Sequence, residues 1–135
     1  MITNSKTQTP NSKQVLNSNV QNSKQYDLEE RTFSFAQDCR ALVKKLSKTT
    51  ANIEDCKQLV RSSGSVGANN IEANESLSKK DFVMRVKISR KEAKESGYWL
   101  RLLDTPRELE STVTVLQREA IELVKIFNAI VVKSQ

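Results

Sequence analysis

Histidine is absent from this sequence, which removes the commonest general base, the commonest metal ligand and the usual pH switch. Only Cys39 and Cys56 could form a disulfide. The N-terminal stretch has no apolar core of the kind an export signal needs, so a cytoplasmic setting and two free, buried thiols are expected. Three glycines and two prolines are few for a β-rich fold. No apolar run approaches the ~20 residues of a membrane-spanning helix, so no membrane association is expected.

What is present is charge and heptad-like periodicity. The net charge is +6, and Lys6, Lys13 and Lys24 stand in residues 1–25 without a single acid. Residues 26–135 therefore hold 19 basic against 16 acidic groups (22 minus those three lysines), a balance of +3. Such a balance permits nucleic-acid binding without demanding it. Residues 1–25 are mostly Asn, Ser, Gln, Thr and Lys; they cannot bury enough apolar surface to offset ordering entropy, and a disordered polar tail is expected there. Residues 26–133 are expected to form one domain.

Four helices are expected in that domain. Asp27, with Glu30 three residues on, reads as the cap of the first, and Leu28, Phe35, Cys39, Leu42 and Leu46 form its apolar stripe, widened by Ala36 and Val43. Thr50 or Asn52 caps the second, which runs to about Leu77. Ser78, with Asp81 three residues on, starts the third, whose seam is Phe82, Val86, Ser89, Ala93, Ser96, Leu100 and Leu103. Thr105 as cap, Pro106 at the first helical position and Glu108 open the fourth, with a seam of Leu109, Val113, Leu116, Ala120, Leu123, Phe127 and Ile130. Short connections make this an all-α, antiparallel up-down-up-down four-helix bundle. Val115, Ile121, Val124, Ile126, Val131 and Val132 lie outside the fourth seam and point to a second copy of the chain as partner.

The stretch from Arg61 to Ser76 organises the rest. Gly64 and Gly67 each cost about 1 kcal/mol of helix propensity relative to alanine. A loop is the alternative reading, but Ile53, Cys56 and Val60 lead in, and Ile71-Glu-Ala leads out, at helical spacing. Ser63, Gly67, Asn70 and Asn74 then share one stripe, where another backbone comes close.

Tests for enzymatic chemistry fail. Glu72, Glu75, Glu92 and Glu95 suggest a carboxylate-bridged metal bundle, but that site needs Glu-x-x-His on two helices. Gly64-Ser-Val-Gly67 matches the KH-domain loop literally, without the sheet a KH domain needs. The chain has no P-loop, and Ser63 or Ser65 with a lysine is better read as close helix packing than as a nucleophile pair. No catalytic residue, cofactor or metal site is expected. Arg61, Glu72, Lys91, Glu92 and Glu95 are expected to pair in a polar network between helices or between subunits. Trp99 reads as an aromatic anchor, with base stacking as the alternative.

Tyr26-Asp-Leu-Glu-Glu-Arg-Thr-Phe33, Gln58-Leu-Val-Arg-Ser-Ser-Gly-Ser-Val-Gly-Ala-Asn69, Ile71-Glu-Ala73, Lys80-Asp-Phe82, Ile88-Ser-Arg-Lys-Glu-Ala-Lys-Glu95 and Tyr98-Trp-Leu-Arg-Leu-Leu103 resemble the bacterial four-helix bundle proteins first found as open reading frames in intervening sequences of 23S rRNA genes. Gly97 departs from that pattern, where a larger and often basic residue is expected, and could weaken a polar contact beside Trp99. The resemblance implies a small cytoplasmic bundle that assembles as a homopentamer. It extends to the accessory variability protein of diversity-generating retroelements, which binds nucleic acid and partners a reverse transcriptase. Lys79, Lys80, Arg85, Lys87, Arg90, Lys91, Lys94 and Arg101 on the third helix are the expected contacts to RNA or DNA. Arg61, Ser63, Gly67, Asn70, Glu72, Glu92, Glu95 and Trp99 are the expected oligomer or network contacts. The alternative is a structural or protein-interaction bundle, such as a reverse-transcriptase accessory subunit, in which the basic residues are only a solvated helix face.

Overall fold

A computed structural model describes the backbone of residues 20–135 and the side chains of residues 27–135. Its elements are α1 (Val20–Lys44), α2 (Thr50–Asn74), α3 (Lys79–Leu102), a 3-10 turn (Arg107–Leu109) and α4 (Glu110–Ser134). Each helix packs on its sequence neighbours, and α1 closes the ring against α4. Cross-helix bonds fix the directions: Asn74 meets Glu29, Arg61 meets Glu95, and Arg90 meets Asn128. Early residues of one helix face late residues of the next, so the bundle is antiparallel, as expected. Among the described residues no helix is long and apolar enough to cross a membrane.

The heptad seams become the core. Phe35, Cys39 and Leu42 from α1, Leu59 and Val66 from α2, Val86, Ala93 and Leu100 from α3, and Leu123 and Phe127 from α4 are nearly inaccessible. Burying each of the larger side chains stabilises the fold by about 1.5–3 kcal/mol. Of the surplus apolar residues on α4, Val131 joins this core and Val124 packs against it, while Val115, Ile121 and Val132 remain exposed.

Local signals held at one helix start and failed at three. Ser78 caps α3, its hydroxyl accepting from Asp81 N at 3.1 Å. Thr49, not Thr50 or Asn52, caps α2, accepting from Asn52 N at 3.1 Å. Asn52 instead turns inward: its amide donates to Ser47 O (3.1 Å) and Asp104 O (2.9 Å) and accepts from Asp104 N (3.0 Å). It thereby ties the α1–α2 connection to the α3–α4 connection at the same end of the bundle. Asp27 lies inside α1, which reaches back to Val20 because no glycine or proline interrupts the preceding residues. The part of the expected tail before residue 20 lies outside the described residues. Thr105 provides no cap: Pro106 is extended (φ −70°, ψ 159°), the 3-10 turn follows, and neither it nor α4 has a side-chain N-cap bond. At its far end α2 stops at Asn74 rather than Leu77, with Glu75 N bonded back to Ile71 O and Glu72 O at 3.2 Å.

Candidate functional site

The glycine-serine stretch is helical throughout, and its small side chains let α2 approach two neighbours at once. A Cβ on Gly67 would lie 3.0 Å from Thr32 Oγ1 and 3.3 Å from Thr32 Cβ, so α1 is the close backbone that this glycine admits. Beside it, Ser63 adjoins the Cys39 thiol, and Asn74 Nδ2 donates to Glu29 Oε2 at 2.7 Å. The whole stripe therefore faces α1 within the same chain. Gly64 lies under Arg40, whose guanidinium bonds Val60 O at 3.3 Å. The opposite flank faces α3, where Ser62 and Ser96 hydroxyls meet at 2.9 Å and Ser89 donates to Val66 O at 2.9 Å, all buried. Asn70 is buried with its Nδ2 unpartnered among the described residues. Both cysteines are free and buried, and burial pushes the Cys39 thiol up to about 12.

Three of the five expected network residues come together between α2 and α3. Arg61 Nη1 lies 3.3 Å from Glu92 Oε1, and its Nη2 pairs with Glu95 Oε2. Trp99 Nε1 donates to the same Glu95 oxygen at 2.9 Å. That bond, together with Arg61, holds the Glu95 carboxyl below the usual carboxylate range, and the pair raises Arg61. Trp99 is thus anchored against the core beside the α2–α3 ion pairs. Glu72 stays outside: it is exposed, about three turns of helix beyond Arg61, and forms no ion pair among the described residues. Lys91 reaches Glu95 only through its field. Gly97 faces α4, where an added Cβ would meet Ala120 Cβ at 3.6 Å.

The basic residues of α3 divide into two sets. At 100° per residue, Lys79, Lys80, Lys87, Arg90, Lys91, Lys94 and Arg101 fall within an arc of about 120° on the side away from the core. Asp81, Glu92 and Glu95, the acids of this helix, all lie outside that arc. Among the described residues only Arg90 within it has a side-chain partner, donating to Asn128 Oδ1 of α4 at 2.8 Å. Arg85 leaves the set: it points toward α2 and donates to Asn69 Oδ1 at 3.3 Å.

Two features escaped the sequence reading. Arg31 of α1 holds Glu119 of α4 through Nε–Oε2 at 2.7 Å and Nη2–Oε1 at 2.8 Å, a two-point pair joining residues 88 apart. Around it opens a groove of about 640 Å³ between α1 and α4, floored by Phe35, Val115 and Leu116 and rimmed by Asp27, Asp38 and Glu122. The only hint was Val115, an apolar residue outside its seam. Among the described residues no group of carboxylates and cysteines is placed to hold a metal ion.

Comparison with known proteins agrees with the fold. The family model of the 23S rRNA-intervening sequence protein matches residues 24–129. A crystal structure from Bacteroides thetaiotaomicron VPI-5482, of a protein with unknown function from the S23 ribosomal protein family, is 30% identical with a TM-score of 0.70. The match covers 80% of this chain and 97% of that one. No curated protein matches.

Proposed function

The chain belongs to the 23S rRNA-intervening sequence protein family, and we propose that it acts as a non-enzymatic, oligomeric bundle that binds the RNA or DNA backbone through the outer face of α3. The carrying observation is the acid-free arc from Lys79 to Arg101, whose cations, Arg90 apart, have no partner among the described side chains. From Lys80 to Arg101 the face is about 32 Å long, close to one turn of a nucleic-acid duplex. Its contacts are to phosphates, so binding is largely independent of base sequence. If about four cations per copy neutralise phosphates, log K falls with log salt at a slope of about −3 to −4. The proposed setting is the bacterial cytoplasm. A homopentamer, implied by the family resemblance, would present the face five times and gain avidity. The rRNA-gene association favours RNA over DNA.

The second reading is a protein-interaction bundle, for example an accessory subunit of a reverse transcriptase like the accessory variability protein of diversity-generating retroelements. Exposed Phe33, Ile71, Tyr98 and Leu102 favour it. A gel-shift titration at low salt separates the two. Retardation of structured RNA or duplex DNA that weakens with salt and in Arg90→Glu and Lys94→Glu supports the nucleic-acid reading. No retardation at micromolar protein sinks it and leaves the interaction bundle.

A further inference from the structure

Tyr98 stands inside the basic arc of α3. At 100° per residue it shares the angular position of Lys80 and lies between those of Lys91 and Lys87. It is 53% exposed. Its neighbours on the helix surface, three and four residues away, are Lys94, Glu95, Arg101 and Leu102. Lys94 and Arg101 lie about 10 Å apart along the axis, one on either side of the ring. Glu95 is turned to Arg61 and Trp99, and Leu102, 48% exposed, adds an apolar edge.

The ring is also held in place. Its centroid lies 5.0 Å from that of Trp99 at an interplanar angle of 72°, an edge-to-face contact. Trp99 in turn packs against the core and donates to Glu95 Oε2 at 2.9 Å. A ring fixed in this way gives up less side-chain freedom on binding than a free one. Phe33 on α1 is as exposed, at 57%, but its neighbours are Glu29, Glu30, Ala36 and Gln37, with no cation among them. A flat aromatic face between cations suits an unpaired base, which offers a face of its own beside its phosphates. A continuous duplex hides its base faces in the stack, so it uses the cations and leaves the ring idle.

From this placement we infer that α3 takes unpaired nucleotides, one base stacking on Tyr98 while Lys94 and Arg101 hold the phosphates beside it. This substrate preference rests on the proposed binding of nucleic acid through α3. Every base has a π-face, so stacking keeps the binding tolerant of sequence.

Binding of the full chain at low salt to three probes of equal length tests the platform: oligothymidylate, the same sugar-phosphate strand made abasic, and a fully paired DNA duplex. All three offer phosphates, but only the first offers free base faces. Oligothymidylate is expected to bind about tenfold or more tightly than the abasic strand. Tyr98→Ala should erase that difference and Tyr98→Phe should keep it. Tyr98→Leu, which retains bulk without a ring, should erase it as well. Affinity for the duplex should be unaltered in all three variants. A second measurement needs no variant to fold: oligothymidylate carrying bromouracil, irradiated on the parent protein, should crosslink to the peptide that holds Tyr98. Equal affinity for the normal and abasic strands, with Lys94→Glu weakening both, overturns the platform and leaves a face that reads phosphates alone. Crosslinking confined to other peptides, or a Tyr98→Ala loss shared by the duplex, also overturns it. No binding of any probe strikes the nucleic-acid reading itself and takes the platform with it.

Discussion

Gly67→Leu tests whether the glycine exists to admit α1. The first carbon added would sit 3.0 Å from Thr32 Oγ1 and 3.3 Å from its Cβ. Thr32 is 1% exposed and cannot swing out, and its hydroxyl lies 3.0 Å from both Leu28 O and Glu29 O. The helix backbone of α1 must therefore move. For alanine the needed shift is a few tenths of an ångström, and the gain of about 1 kcal/mol in helix propensity nearly offsets it. Leucine adds three further carbons in the same direction, so overpacking of about 1–3 kcal/mol is expected to win.

At about 4 °C per kcal/mol for a domain of this size, Gly67→Leu should lower Tm by about 4–12 °C in thermal unfolding followed by circular dichroism. Thr32→Ala opens the same space, so in that background Gly67→Ala should be stabilising by most of its propensity gain. The two positions should couple by about 0.5 kcal/mol or more in a double-mutant cycle. An unchanged Tm for Gly67→Leu, or additive effects of the two substitutions, would refute close packing as the reason for the glycine.

Four other perturbations probe separate contacts. Asn52→Ala should destabilise by about 2–4 kcal/mol in urea unfolding, because it strips partners from Ser47 O, Asp104 O and Asp104 N together. Arg61→Met leaves Glu92, whose side chain is 10% exposed, without its cation; Arg61 itself is 47% exposed, so the loss should be about 1–2 kcal/mol and not the 3–5 of a fully buried pair. Glu95 titrates below its unfolded value, so the stability it adds is complete above about pH 4.5 and is lost as pH falls through the folded value. Trp99→Phe should accordingly narrow the stability difference from the parent as pH drops below 4.5, and a constant gap would contradict the bond. Cys39, pushed up to about 12 by burial, should not react with a thiol reagent at pH 8 until the chain unfolds.

Burial periodicity was the most legible signal. Val86, Ser89, Ala93, Ser96 and Leu100 were read as one face and are one face, because a 3.6-residue period leaves little choice once a bundle forms. Capping was less legible. Ser78 behaved as its local pattern requires, but Asn52 had a stronger use in the turn latch, and Pro106 held an extended conformation that delayed α4. Arg61, Glu92 and Glu95 meet between α2 and α3, while Glu72, about three turns further along α2, pairs with none of them among the described residues. Spacing alone also grouped Arg85 with the outer lysines, although it points toward α2.

The sequence by itself determined the all-helical class, the seams, the free thiols at core positions and the presence of a close contact at Gly67. Those follow from periodicity and from side-chain size, which are properties of neighbours in the chain. Only the tertiary structure decided that Gly67 meets Thr32, that Arg31 holds Glu119 and that Asn52 joins two loops. Each pairing joins residues far apart in sequence, and its geometry exists only after the helices have chosen their neighbours and their axial register.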